Sequence, residues 1–117
     1  MFPAPITILT FEDFDCNIIH RGASAINREF GEKYRPDGLW VSPKQYVRIQ
    51  ETVAAHARDT AMDHKYYYLC VYSHNGPIYI YANEFCPENQ GWFTRTGFGV
   101  VGVIKKEAVP QEEPPNN

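Results

Sequence analysis

An α+β fold is predicted by three features of the sequence: two stretches whose apolar residues recur at helical spacing, a tyrosine-rich run around Asn75-Gly76, and a glycine-broken β-branched run near the end. The expected architecture is a small two-layer domain in which two amphipathic helices pack on one face of an antiparallel sheet built around a Tyr-rich β-hairpin. The chain has 117 residues, of which 44% are hydrophobic and 21% charged, enough for one core without a metal or disulfide scaffold. The expected boundaries are a single domain over residues 1–108 and a disordered, acidic, proline-rich tail over 109–117.

Pro3 and Pro5 bracket the start, and Ile6-Thr7-Ile8-Leu9 alternates as an edge strand or extended arm does. Phe11, Phe14, Ile18, Gly22, Ala25, Ile26 and Phe30 then follow the three-and-four spacing of one helix face. Thr10 is the expected cap, Glu12, Asp13 and Asp15 suit the positive end of the dipole, and Gly31 can close the helix in a left-handed conformation. This places the first helix at 11–30. Pro36-Asp37-Gly38 reads as a turn and Leu39-Trp40-Val41 as a short buried strand. Ser42, Pro43 and Gln45 form a capping box with proline at the first helical position. Tyr46, Ile49, Val53, Ala57 and Ala61 line one face of the second helix, which is expected to end at Ala61.

Residues 66–85 carry the hairpin signal. With Asn75-Gly76 as a type I′ turn, Tyr72 faces Tyr79, Cys70 faces Tyr81, Tyr68 faces Asn83 and Tyr66 faces Phe85 on one side of the sheet. Val71 and Ile80, and Leu69 and Ala82, then pair on the other side, so one face is aliphatic and the other aromatic. Cys86 to Gly91 has turn chemistry. Trp92 to Ile104 reads as one bent strand or two short ones, interrupted at Gly97, Gly99 and Gly102.

A formal charge of −3 removes the cationic field on which phosphate-backbone binding depends, so nucleic acid is a disfavoured partner. Three cysteines, Cys16, Cys70 and Cys86, are an odd number for a disulfide framework and fit a reducing compartment. The start lacks a signal-peptide pattern and no run approaches the ~20 apolar residues of a membrane span. The expected location is cytoplasmic, or within a virion assembled there, with no membrane partner.

Cys16 and His20 lie four apart on one helix face, away from the apolar stripe, and are expected to be exposed. Cys70 and His74 repeat the spacing on a strand, where four residues separate the side chains by roughly 13 Å. No paired C-x-x-C spacing supports a metal site, so none is expected, and no cofactor is implied. Cys16, Cys86, His56, His64 and His74 could supply a nucleophile and base for a small enzyme, although no local motif singles out a pair. Gly97 to Gly102 lacks the following helix and the Gly-Lys-Ser/Thr of a phosphate loop.

The sharpest signal is the stripe formed by Tyr66, Tyr68, Tyr72, Tyr79 and Tyr81, since tyrosine joins a large contact area to a polar tip and little rotamer entropy. The competing reading has Trp92, Phe93 or the N-terminal arm cover that face internally. Leu39-Trp40-Val41-Ser42-Pro43-Lys44-Gln45-Tyr46 resembles the strand-into-helix element of tailed-phage capsid subunits, and Arg95 to Val101 loosely resembles their last strand. The resemblance implies a virion or other assembly component. The expected function is therefore non-enzymatic protein binding or self-assembly through the tyrosine face, with a partner protein or a second copy as occupant. The alternative is a small Cys- or His-dependent enzyme.

Overall fold

The computed structural model describes residues 4–55, 69–73 and 76–107, which hold two α-helices and a six-stranded sheet. In chain order the elements are β1 (Ile6–Thr10), α1 (Cys16–Phe30), a 3₁₀ turn (Glu32–Tyr34), β2 (Gly38–Val41), α2 (Pro43–Ala55), β3 (Cys70–Ser73), β4 (Gly76–Ala82), β5 (Gln90–Arg95) and β6 (Gly99–Lys106). The mixed α/β content agrees with the sequence reading. Residues 56–61, on which the predicted end of the second helix falls, lie outside the described residues, as do residue 108 and the expected 109–117 tail.

Asp15, rather than Thr10, caps α1. Its extended backbone and its side chain, which accepts the Ile18 amide at 2.8 Å, satisfy an amide that the helix leaves unpaired. Thr10 Oγ1 instead accepts from the Glu12 amide in the preceding loop. Phe14 and Ile19 take the positions on either side of such a cap that form a hydrophobic staple, and both are buried. Phe11 stays outside the helix and exposed. Gly31 closes α1 with its amide on Asn27 O, at φ 87° and ψ 170°, a positive-φ conformation more extended than the left-handed helical one.

Ser42 caps α2 as expected, its hydroxyl accepting the Gln45 amide at 3.1 Å. The reciprocal half of the capping box is not used, because Gln45 Nε2 donates to Glu88 O at 3.0 Å and so ties the helix start to the loop before β5.

The sheet is mixed, where an antiparallel one was expected. Its order is β1-β6-β5-β2-β4-β3, with β1 parallel to β6 and β2 parallel to β4. Parallel neighbours need a long crossover rather than a tight turn, and the sequence between β2 and β4 has room for one. The expected hairpin also shifts. Cys70 pairs with Tyr79, Val71 with Ile78, Tyr72 with Pro77 and Ser73 with Gly76, two residues away from the Asn75-Gly76 register. Gly76 (φ 114°) belongs to β4, in a backbone conformation that side chains rarely adopt, and a Cβ there would displace the Arg35 guanidinium. Meanwhile β2 pins β4 through Leu39–Ile80 and Trp40–Tyr81. A shift of two residues preserves the side to which each side chain points, so Tyr79 and Tyr81 still lie on the side of β4 opposite to Ile78 and Ile80.

Beyond β4, the glycine-broken run resolves into two strands. Gly97 (φ 88°) and Gly99 (φ 82°) make the turn between them, and a bulge beside Phe93/Thr94 leaves Val101 outside the ladder. One buried cluster collects Ile18, Ile19, Ala23 and Ile26 of α1, Ile49 of α2, and Leu39, Val41, Val71, Ile78, Ile80, Phe93 and Ile104 of the sheet. The helix and sheet approach closely at glycines: a Cβ on Gly22 would lie 2.7 Å from the Phe93 ring, and one on Gly102 2.5 Å from Ile26.

Candidate functional site

Every strand that sends an aliphatic residue into the core sends the next residue to the opposite side. Leu39 and Val41 are fully buried while Trp40 is half-buried, and Ile78 and Ile80 are buried while Tyr79 is 36% exposed. Gly91 and Phe93 are likewise buried around the half-buried Trp92. Ladder partners share a side, so Tyr81, Trp40, Trp92, Val103 and Thr7 form one row across β4, β2, β5, β6 and β1.

The rings in this row are held in place. Trp40 stacks on Tyr81 with centroids 4.7 Å apart and planes at 26°, and its indole N–H donates to Thr94 Oγ1 at 3.2 Å. Gly38 leaves the space that this arrangement uses, since a Cβ there would lie 2.7 Å from Thr94 Oγ1 and 3.2 Å from the Tyr81 ring. The Trp92 indole donates to Gln90 Oε1 at 3.2 Å. A groove of about 490 Å³ runs along these residues and ends at Asp37, Arg95 and Thr96. There the Asp37 carboxylate accepts the Thr96 amide and lies 3.6 Å from the Arg95 guanidinium, while its backbone bonds both Thr94 and Tyr79. Outside the groove, toward the far end of β6, Lys105 pairs with Glu107 at 3.4 Å.

Of the predicted stripe, Tyr79 and Tyr81 lie on this side. Tyr72 lies in β3 opposite Pro77 rather than opposite Tyr79, and Tyr66 and Tyr68 fall outside the described residues. Sequence reasoning missed Trp40 and Trp92, which were read as part of a buried strand and as a possible internal cover. The signal was the period-2 alternation in Leu39-Trp40-Val41 and Gly91-Trp92-Phe93, which sets each tryptophan opposite its aliphatic neighbours. Phe93 belongs wholly to the core, and Trp92 shares the aromatic side rather than covering it.

The residues of the enzyme reading are differently placed. Cys16 and His20 are half-buried rather than exposed, because Cys16 packs against the core at the first turn of α1. Burial pushes the Cys86 thiol up to about 11, and its Sγ lies 3.5 Å from Trp40 O and 3.4 Å from Gln90 O, so at neutral pH it is a protonated donor rather than a nucleophile. Cys70 is buried, and His56, His64 and His74 lie outside the described residues. Among the described residues no group of three or more His, Cys, Asp or Glu could hold a metal ion, and no helix is long and apolar enough to cross a membrane. Compared with known proteins, the chain matches no family model, no curated protein and no solved structure.

Proposed function

We propose that this chain is a non-enzymatic assembly protein whose aromatic sheet face docks against a second copy of itself. In this reading the helices occupy the aliphatic side of a two-layer domain and leave the aromatic side for the partner. The observation that carries it is the ring-locked row Tyr81–Trp40–Trp92–Val103, extended along the strands by Tyr79 and by Val100, which is 40% exposed. Pre-fixed aromatic side chains lose little entropy on association, the property that marks interface anchors.

Two features favour a second copy over a foreign protein. Ion pairs lie toward both ends of these strands, Arg95 with Asp37 and Lys105 with Glu107, an arrangement of balanced charge that a two-fold partner can meet without net repulsion between them. In addition, five strands at ~4.8 Å spacing and about 20 Å of strand length give on the order of 500 Å² per copy, or ~1,000 Å² buried in total, the size of a weak but specific interface. Association in the micromolar range is expected. The expectation of a virion component belongs to the same proposal, through the resemblance of Leu39 to Tyr46, the segment that runs from β2 into α2.

Light scattering coupled to size-exclusion chromatography, run from about 1 to 200 μM, tests the proposal. A concentration-dependent dimer is expected, dissociating at least tenfold more readily on Tyr81→Ala or Trp92→Ala and less so on Tyr79→Ala. A monomer at the highest concentration overturns self-association, and a dimer indifferent to all three substitutions overturns the use of this face.

A further inference from the structure

The β1 edge offers a second surface, separate from the aromatic face. Among the described residues β1 pairs with β6 alone, so half of its main-chain N–H and C=O groups point away from the sheet. Exposed edges are commonly blunted by a charge, a proline or a bulge, and Ile6-Thr7-Ile8-Leu9-Thr10 contains no charged residue or proline. Leu9 is 59% exposed. Under this edge, between β1 and α1, runs a groove of about 370 Å³ with Ile8, Ile18 and Ile104 in its wall and Arg21, Ser24 and Arg28 of α1 along it.

The two arginines give this groove a sign opposite to the chain's net charge of −3. Arg28 makes no ion pair with the described residues. Arg21 reaches Glu12 at 3.7 Å, but both side chains are about two-thirds exposed, so water and a competing carboxylate displace that contact readily.

We infer that β1 is a docking edge for an extended acidic segment of a partner protein, which adds to the sheet beside β1 and sets alternate carboxylates against Arg21 and Arg28. Seven helical residues separate the two arginine Cα atoms by about 10.5 Å along the axis. Side chains on one side of an added strand recur every ~6.7 Å, so carboxylates two or four residues apart bracket that distance within the reach of an arginine. Main-chain bonds to β1 would supply affinity whatever the sequence, and the arginines would select acidic over basic segments. Apolar residues between the carboxylates would face the opposite side, next to Leu9.

Fluorescence anisotropy with a labelled alternating valine–glutamate peptide, and its valine–lysine counterpart as control, reads this selection, and hydrogen exchange on the same mixtures reads the edge. The acidic peptide is expected to bind, to protect amides of Ile6–Thr10, and to bind about tenfold more weakly to the Arg21→Gln/Arg28→Gln double variant, the combined effect of two solvated charge pairs. Both substitutions sit on exposed helix positions and leave the core intact. Equal binding of the lysine peptide, unchanged binding to the double variant, binding without protection of β1, or no binding at about 1 mM each overturns the inference. Trp92→Ala is expected to leave peptide binding unchanged, so failure of the aromatic-face proposal and failure of this one are separable, and loss of peptide binding in that variant also counts against the edge.

Discussion

The two sides of the same strands obey different rules. On the inward side Leu39, Val41, Ile78, Ile80, Phe93 and Ile104 are interchangeable in kind: each is a hydrophobe whose placement is decided by volume and by contact with α1 or the rest of the cluster. On the outward side Gly38, Trp40, Tyr79, Tyr81, Trp92 and Thr94 are particular. An absent side chain leaves room for the Tyr81 ring and the Thr94 hydroxyl, that hydroxyl accepts an indole N–H, and one tryptophan lies opposite another across the ladder. Residues one position apart therefore differ in kind, with stability carried on one side and recognition proposed for the other.

The sharpest way to break this division is to truncate two neighbours. Phe93→Ala is expected to cost about 3–5 kcal/mol, because the ring is fully buried and packs where Gly22 of α1 makes its closest approach. Trp92→Ala, one residue earlier but on the aromatic side where the ring is half-buried, is expected to cost under about 1.5 kcal/mol while weakening self-association. Urea unfolding on dilute protein separates the two effects. Equal losses of stability would mean that the aromatic side is itself interior, and the assembly proposal would fall with it.

How legible this was in the sequence depended on how local the signal is. The Ser42–Pro43–Gln45 start of α2 was readable because a cap is decided by a few adjacent residues. The start of α1 was not, since Thr10 is as good a cap by residue type as Asp15, and Asp15 is set apart by the buried pair Phe14 and Ile19 that flank it in space. Strand direction was hidden as well, because alternation reads the same whether the neighbour is parallel or antiparallel. The hairpin register failed because the ladder to β2, a non-local partner, fixes β4, and no turn preference at Asn75-Gly76 reports on it. Even so, alternation survives a two-residue slip, so Tyr79 and Tyr81 share one side of β4 in either register. Trp40 and Trp92 joined the site only once β2 and β5 were seen to be neighbours, 52 positions apart in the chain.

A subtler probe of the inward side adds volume instead of removing it. Gly102→Ala places a Cβ against Ile26, a residue with no exposed surface and so little room to move, and is expected to cost about 1–3 kcal/mol. The backbone at Gly102 does not need a positive φ, so the loss would report packing alone. Thermal unfolding checks it. If Gly102→Ala melts with the wild type, α1 can lift off β6, and the inward side is less tightly specified than its burial implies.

The smallest effect belongs to a contact on neither side. Asp13, in the loop before α1, pairs with Lys106 at the end of β6 and lies 3.9 Å from Arg48 of α2. The hydrogen bond from Lys106, then its charge, then Arg48 hold the Asp13 carboxyl below its ordinary value against a slight desolvation. A carboxylate with a lowered folded-state value contributes stability above the ordinary range near pH 4, and that contribution is lost as pH falls through the folded-state value. Because the Asp13 side chain is 69% exposed, the whole effect is under about 1 kcal/mol and shrinks in salt. Asp13→Asn should thus lower the urea midpoint slightly at pH 7, converge with the wild type as the pH falls through the lowered folded-state value, and leave dimer dissociation unchanged. A deficit that persists at low pH would mean that the loop is held by packing around Phe14 instead of by charge. A change in dimerisation would mean that the loop and the aromatic face are coupled through β6, so that stability and recognition are not as separate as the alternation of the strands makes them.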